Sequence, residues 1–131
     1  MVIADGVPAG FKNNLFAFCE KKAAETNQRI HIMEIGNPAP GHNKFKVTTE
    51  LQMDPSAAGD FPVLMQPCAK YGMIFIVTKM GYLFMIEASR GALLYRQRIT
   101  DQLPFVSTRN PSTDGMICIN KAGQVLSVNV E

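Results

Sequence analysis

The sequence predicts an all-β fold assembled from repeated small antiparallel sheets, and three observations predict it. The stretch Tyr71 to Glu87 reads as two short strands joined at Lys79, Met80 and Gly81. The same unit returns from Asp114 to Glu131, with Gly72 recurring as Gly115, Lys79 as Lys121 and Gly81 as Gly123. Other apolar runs of strand length lie between Gly, Pro, Asn and Asp clusters, and none carries a long helical period. About four short strands per unit at a spacing in the low forties is the pattern of a β-propeller blade.

Met1 to Ala4 is a short apolar start, and Asp5 to Asn14, with Gly6, Pro8 and Gly10, reads as a loop. Leu15 to Cys19 and Arg29 to Ile35 are predicted as the strands of a hairpin, with Ile30, Ile32 and Glu34 on one face and His31, Met33 and Ile35 on the other. The connection through Lys21, Lys22 and Glu25 is too short for an independent helix and is expected to be an exposed turn. Pro38, Pro40 and Gly41 make Gly36 to Asn43 a surface loop. Lys46 to Met53 is a third strand, stopped by Asp54 to Asp60.

Phe61 to Gln66 reads as a strand that tolerates Pro62 at its start. Met73 to Val77 is apolar on consecutive residues, the mark of a strand covered on both faces. Gly81 and Gly123 both suit a tight hairpin that needs positive φ. Ala92 to Ile99 is expected as an outer edge strand, with Arg96 and Arg98 on one face and Tyr95, Gln97 and Ile99 on the other; its charges discourage foreign pairing. Pro104 to Thr108 and the two last strands form a final unit without a fourth strand.

Aligning Arg29 to Glu34 on Tyr82 to Glu87 extends the repeat to three units, at residues 1–53, 54–101 and an incomplete 102–131. Three blades cannot close a ring. Both end units are expected to present an apolar face, so the chain is a piece of a larger propeller or self-associates.

Composition excludes several classes. The 131 residues are 47% hydrophobic and 18% charged, and 13 basic against 11 acidic side chains leave a net charge of +2, too small to argue for nucleic acid or an anionic membrane. Met73 to Val77 is far short of a membrane span, so no membrane insertion is expected. Cys19, Cys68 and Cys118 form no Cys-x-x-Cys spacing and read as reduced, buried thiols of a cytosolic protein. The eight methionines read mostly as core filler. His31 and His42 share no nucleophile motif with a Ser or Cys, and Glu34 and Glu87 occupy equivalent strand ends. Phosphate loops and metal-ligand spacings are absent from the sequence, so no enzyme, metal or cofactor is expected.

The runs RIHIMEIG (Arg29 to Gly36), DFPVLMQ (Asp60 to Gln66), IVTKMGY (Ile76 to Tyr82) and NKAGQVLS (Asn120 to Ser127) occur in this order over nearly the whole chain. As an ordered set they resemble the last three blades, five to seven, of the clathrin heavy chain amino-terminal domain. That resemblance implies a seven-bladed propeller whose grooves capture short peptides of adaptor and accessory proteins, without catalysis, on coated pits and coated vesicles in the cytoplasm. Partners implied are the rest of the heavy chain and the clathrin light chain. The groove between the first two blades lies outside this sequence. An arrestin-like loop site between blades four and five would draw on Lys46, with Lys44 the alternative. A groove between blades six and seven would draw on Gln97 and Arg98. Solvated charge and edge protection compete with these assignments. The alternatives to the whole reading are an unrelated WD-repeat-like scaffold, which the missing Trp-Asp ending and the absence of tryptophan disfavour, and a small self-associating β protein.

Overall fold

The computed structural model describes residues 2–3, 14–20, 27–35, 45–56, 59–68, 71–88 and 90–130, with side chains in all of these except 2–3, 14–20, 33–35 and 45–47. Within them lie eleven strands in three antiparallel sheets. The first sheet orders β1 (Val2–Ile3), β2 (Asn14–Glu20), β3 (Asn27–Ile35) and β4 (Phe45–Gln52). The second orders β5 (Pro62–Cys68), β6 (Met73–Thr78), β7 (Tyr82–Glu87) and β8 (Leu93–Arg98). The third orders β9 (Pro104–Arg109), β10 (Met116–Asn120) and β11 (Val125–Val128). Each strand pairs with its neighbour in sequence, and the arrangement is that of a partial all-β propeller.

Strand alternation explains how these sheets stack. Along β6 successive side chains point to opposite faces, and every one is buried. Ile74 and Ile76, with Phe84 and Ile86 of β7, pack against Ile30, Ile32 and Leu51 of the first sheet. Phe75, Val77 and Leu83 turn the other way, onto Met116 and Cys118 of the third. The middle sheet is therefore sandwiched, and each large apolar side chain buried there stabilises the fold by about 1.5–3 kcal/mol. Met53, Met65, Met73 and Met116 are buried in these cores and Met80 is exposed, so methionine is mainly filler here.

The repeat is visible in hydrogen bonds. Lys79 donates its N–H to the Phe61 carbonyl at 2.8 Å, and Lys121 to that of Leu103 at 2.7 Å. Gly81 and Gly123, with φ of 89° and 82°, each donate at 3.0 Å to the last residue of the preceding strand, Thr78 or Asn120. The first anchor is less regular. Gly72 has φ 66°, whereas in the third sheet the positive φ falls on Asp114, at 60°, one residue before Gly115.

The structure departs from the sequence reading at several strand ends. Val2 and Ile3, read as a bare apolar start, pair with Phe18 and Ala17 as a short β1, which two residues are too few to signal. β5 runs on to Cys68, and β8 stops at Arg98. Much of the apolar end face expected of the first sheet falls on residues without described side chains. Among the described side chains on that face, Arg29 and Glu50 form an ion pair at 3.4 Å, and His31 Nδ1 and Thr48 Oγ1 a hydrogen bond at 3.0 Å. On the third sheet Val106, Ile119 and Val125 share the outer face and are exposed, as expected. The loop expected at Asp5 to Asn14, up to residue 13, the turn expected through Lys21, Lys22 and Glu25, the loop expected at Gly36 to Asn43, the Cys19 side chain and Glu131 lie outside the described residues.

Candidate functional site

The grooves that flank the middle sheet start from the geometry of β8. This strand is the outer edge of its sheet and every one of its residues is exposed. Register places Tyr82 opposite Arg98, Phe84 opposite Arg96, Leu83 opposite Gln97 and Met85 opposite Tyr95. Paired residues share a face. Arg96 and Arg98 therefore stand on the side of the first sheet, because Phe84 and Tyr82 belong to that core, and Tyr95 and Gln97 stand on the side of the third.

Between the second and third sheets lies an open groove of about 570 Å³. Met85, Leu94, Tyr95, Ile99, Val128 and Val130 line it, with Ser127 and Asn129 at its polar rim. It exists because β11 ends its sheet: among the described residues no strand follows it to fill the space that β8 fills in the sheet before. An apolar slot between two strand edges accepts an extended chain, through side-chain pockets and exposed backbone groups.

The four residues singled out in sequence are distributed as follows. Lys44 lies outside the described residues, and Lys46 is in β4 without a described side chain. Gln97 is on the groove face, where its Oε1 accepts a hydrogen bond from the Tyr95 hydroxyl. Arg98 is on the opposite face. Its Nε donates to the carbonyls of Met80 and Thr100, both at 3.2 Å, and its guanidinium lies 5.6 Å from the centre of the Tyr82 ring. Gln97 and Arg98, assigned together from sequence, are thus not brought into one groove.

Sequence reasoning missed Leu94 and Tyr95 as groove walls. The available signal was an apolar run, Leu93 to Tyr95, on a strand otherwise read as a charged edge. Asp60, noted only as part of a motif, is buried and organises a turn. Its Oδ1 accepts from Phe61 N at 3.0 Å and Met80 N at 2.9 Å, tying the 79–81 turn to the start of β5.

The titration pattern is that of structural groups. Hydrogen bonds from the Ser56 hydroxyl and N–H hold the Asp54 carboxyl below its ordinary value, helped by nearby Arg96. Burial pushes the Cys118 thiol up, and Cys68 and Cys118 are both reduced. His31 serves as a cross-strand tie to Thr48. Among the described residues no group of three or more His, Cys, Asp and Glu is placed to hold a metal ion, and no helix is long and apolar enough to cross a membrane.

Comparison with known proteins gives these grooves a context. No family model matches the chain. Over 120 residues it is 38% identical to a protein named probable clathrin heavy chain 1 of Caenorhabditis elegans, covering 91% of this chain and 7% of that protein. Over 115 residues it is 41% identical to clathrin heavy chain 2 of Homo sapiens and 36% to the clathrin heavy chain of Drosophila melanogaster, in each case 87% of this chain and 7% of the relative. The chain thus spans about 7% of the length of the curated relatives it matches.

Proposed function

We propose that this chain, a homologue of one segment of the clathrin heavy chains, is a non-enzymatic coat fragment whose inter-sheet grooves capture extended peptides of adaptor and accessory proteins. The observation that carries the reading is the apolar groove between the second and third sheets, walled by Leu94 and Tyr95 and faced by Gln97. A groove of that shape binds a short extended segment with modest affinity, as transient trafficking contacts require.

In this reading residues 1–53, 54–101 and 102–131 correspond to blades five, six and an incomplete seven. The setting is the cytoplasmic side of coated pits and coated vesicles in endocytosis and other vesicle transport. The rest of a heavy chain and the light chain are the structural partners. Lys46, or Lys44, serves an arrestin-like loop on the side of blade four. The exposed Val106, Ile119 and Val125 favour coverage of the third sheet by further propeller or, in the isolated chain, by self-association.

Isothermal titration of the purified chain with peptides from the unstructured segments of coat adaptors tests the proposal. Binding that Gln97→Ala and Tyr95→Ala weaken at least tenfold supports it, and binding of all such peptides untouched by both changes contradicts it. Charge reversal at Lys44 and Lys46 makes the same test for the arrestin-like loop.

A further inference from the structure

The edge of β8 has two properties that coincide on the same residues. In an antiparallel ladder the backbone groups of successive residues point alternately toward and away from the neighbouring strand. Ile99 donates its N–H to the Gly81 carbonyl at 2.8 Å, which fixes the phase. Gln97 and Tyr95, paired with Leu83 and Met85, therefore bond inward to β7. The N–H and C=O groups of Arg98 and Arg96 point outward, at a sheet edge that is free among the described residues. The two residues that offer backbone to a new strand are also the two that carry cations, and both cations lie on one face.

These side chains are positioned but not saturated. Arg98 is held through Nε and by the Tyr82 ring, and among the described residues its terminal nitrogens have no acceptor. Arg96 reaches the Gln52 carbonyl from Nη1 at 3.5 Å, the limit of a hydrogen bond. The carboxylate within electrostatic reach of Arg96, Asp54, has its Oδ1 engaged by Ser56 N at 2.9 Å and Ser56 Oγ at 2.6 Å. On the other face Leu94 and Tyr95 are exposed and apolar.

We infer that the free edge of β8 is a strand-addition site for an acidic peptide, whose carboxylates two residues apart meet Arg96 and Arg98 while the intervening apolar side chains pack on Leu94 and Tyr95. Backbone pairing supplies affinity, and the period-two match of acid and apolar residue supplies specificity. Arginine edge charges that repel basic strands favour an acidic one by the same physics. The inference uses the strand edge, the two arginines and the apolar Leu94 and Tyr95; it shares those two walls with the proposed groove but does not require a coat protein.

The test uses the full chain and a labelled, capped hexapeptide of alternating Glu and Val, followed by fluorescence anisotropy, with the Lys–Val counterpart as control. The Glu–Val peptide binds at least tenfold more tightly than the Lys–Val peptide, and the double variant Arg96→Glu, Arg98→Glu inverts that preference. N-methylation of the peptide amides that face β8 abolishes binding. Arg96→Gln, a milder change, weakens it severalfold, with circular dichroism confirming an intact fold. Equal binding of both peptides, indifference to N-methylation, or no binding at millimolar peptide overturns the inference and leaves Arg96 and Arg98 as edge protection alone.

Discussion

The carbonyl of Thr100 occupies the place where a side chain on Gly81 would begin: a Cβ there would lie 1.9 Å from that oxygen. Gly123, the equivalent residue of the third sheet, has nothing within 4 Å of its would-be Cβ. Both glycines have positive φ, but only the first is roofed by chain leaving an outer strand, which the third sheet does not have among the described residues.

Alanine at the two glycines therefore has unequal effects. Gly123→Ala loses about 1–2 kcal/mol, the left-handed backbone cost alone. Gly81→Ala adds a backbone clash and loses about 3 kcal/mol or more. Urea denaturation of both variants checks this; equal losses would mean that Thr100 does not pack on the turn.

Phe84, fully buried between the first two sheets, and Phe105, 72% exposed, separate core from surface. Phe84→Ala is expected to cost about 3–5 kcal/mol. Phe105→Ser stays within about 0.5 kcal/mol, as surface changes do. Thermal or urea unfolding measures both.

Asn120 ends β10 with a larger role than Thr78 ends β6. Its Oδ1 accepts from Ala122 N at 3.1 Å and Gln124 N at 3.0 Å, and its Nδ2 donates to Thr100 Oγ1 at 3.0 Å and Gln124 Oε1 at 2.8 Å. Thr78 Oγ1 accepts one bond, from Tyr82 N at 3.0 Å. Asn120→Ala should cost about 2–4 kcal/mol and Thr78→Val about 1–2 kcal/mol, read from the midpoint of denaturant unfolding.

Cys118 and Asp54 each contribute to the pH dependence. The folded pKa of Cys118 is raised by burial, so its contribution is full below the ordinary value of 9.0 and is lost as pH rises through the folded value. The alkaline fall in stability is shallower in Cys118→Ala. Asp54 is lowered, so its contribution is present above 3.8 and is lost as pH falls through the folded value. Ser56→Ala moves the Asp54 titration, followed by NMR, toward that ordinary value.

Much of the fold was legible because its signals are local. Consecutive apolar residues at Met73 to Val77 identified a strand buried on both faces, and Lys79-Met80-Gly81 identified its turn. The two-residue β1 carries too little pattern to read. The site was less legible, since a groove is a relation between strands distant in sequence. Tyr95 of β8 and Val128 of β11 come to line one groove only through sheet packing. The opposed faces of Gln97 and Arg98 followed from alternation alone, but the side on which each sheet lies did not.

Capture of extended peptide by the groove beside the middle sheet can be read out by crosslinking. A photoreactive side chain at Gln97, irradiated in the purified chain with an adaptor-derived peptide, should form an adduct that unlabelled peptide competes away. The same reactive group at Thr108, on the outer face of the third sheet, should not. Equal crosslinking at both positions, or none at Gln97 with peptide bound, would contradict the account.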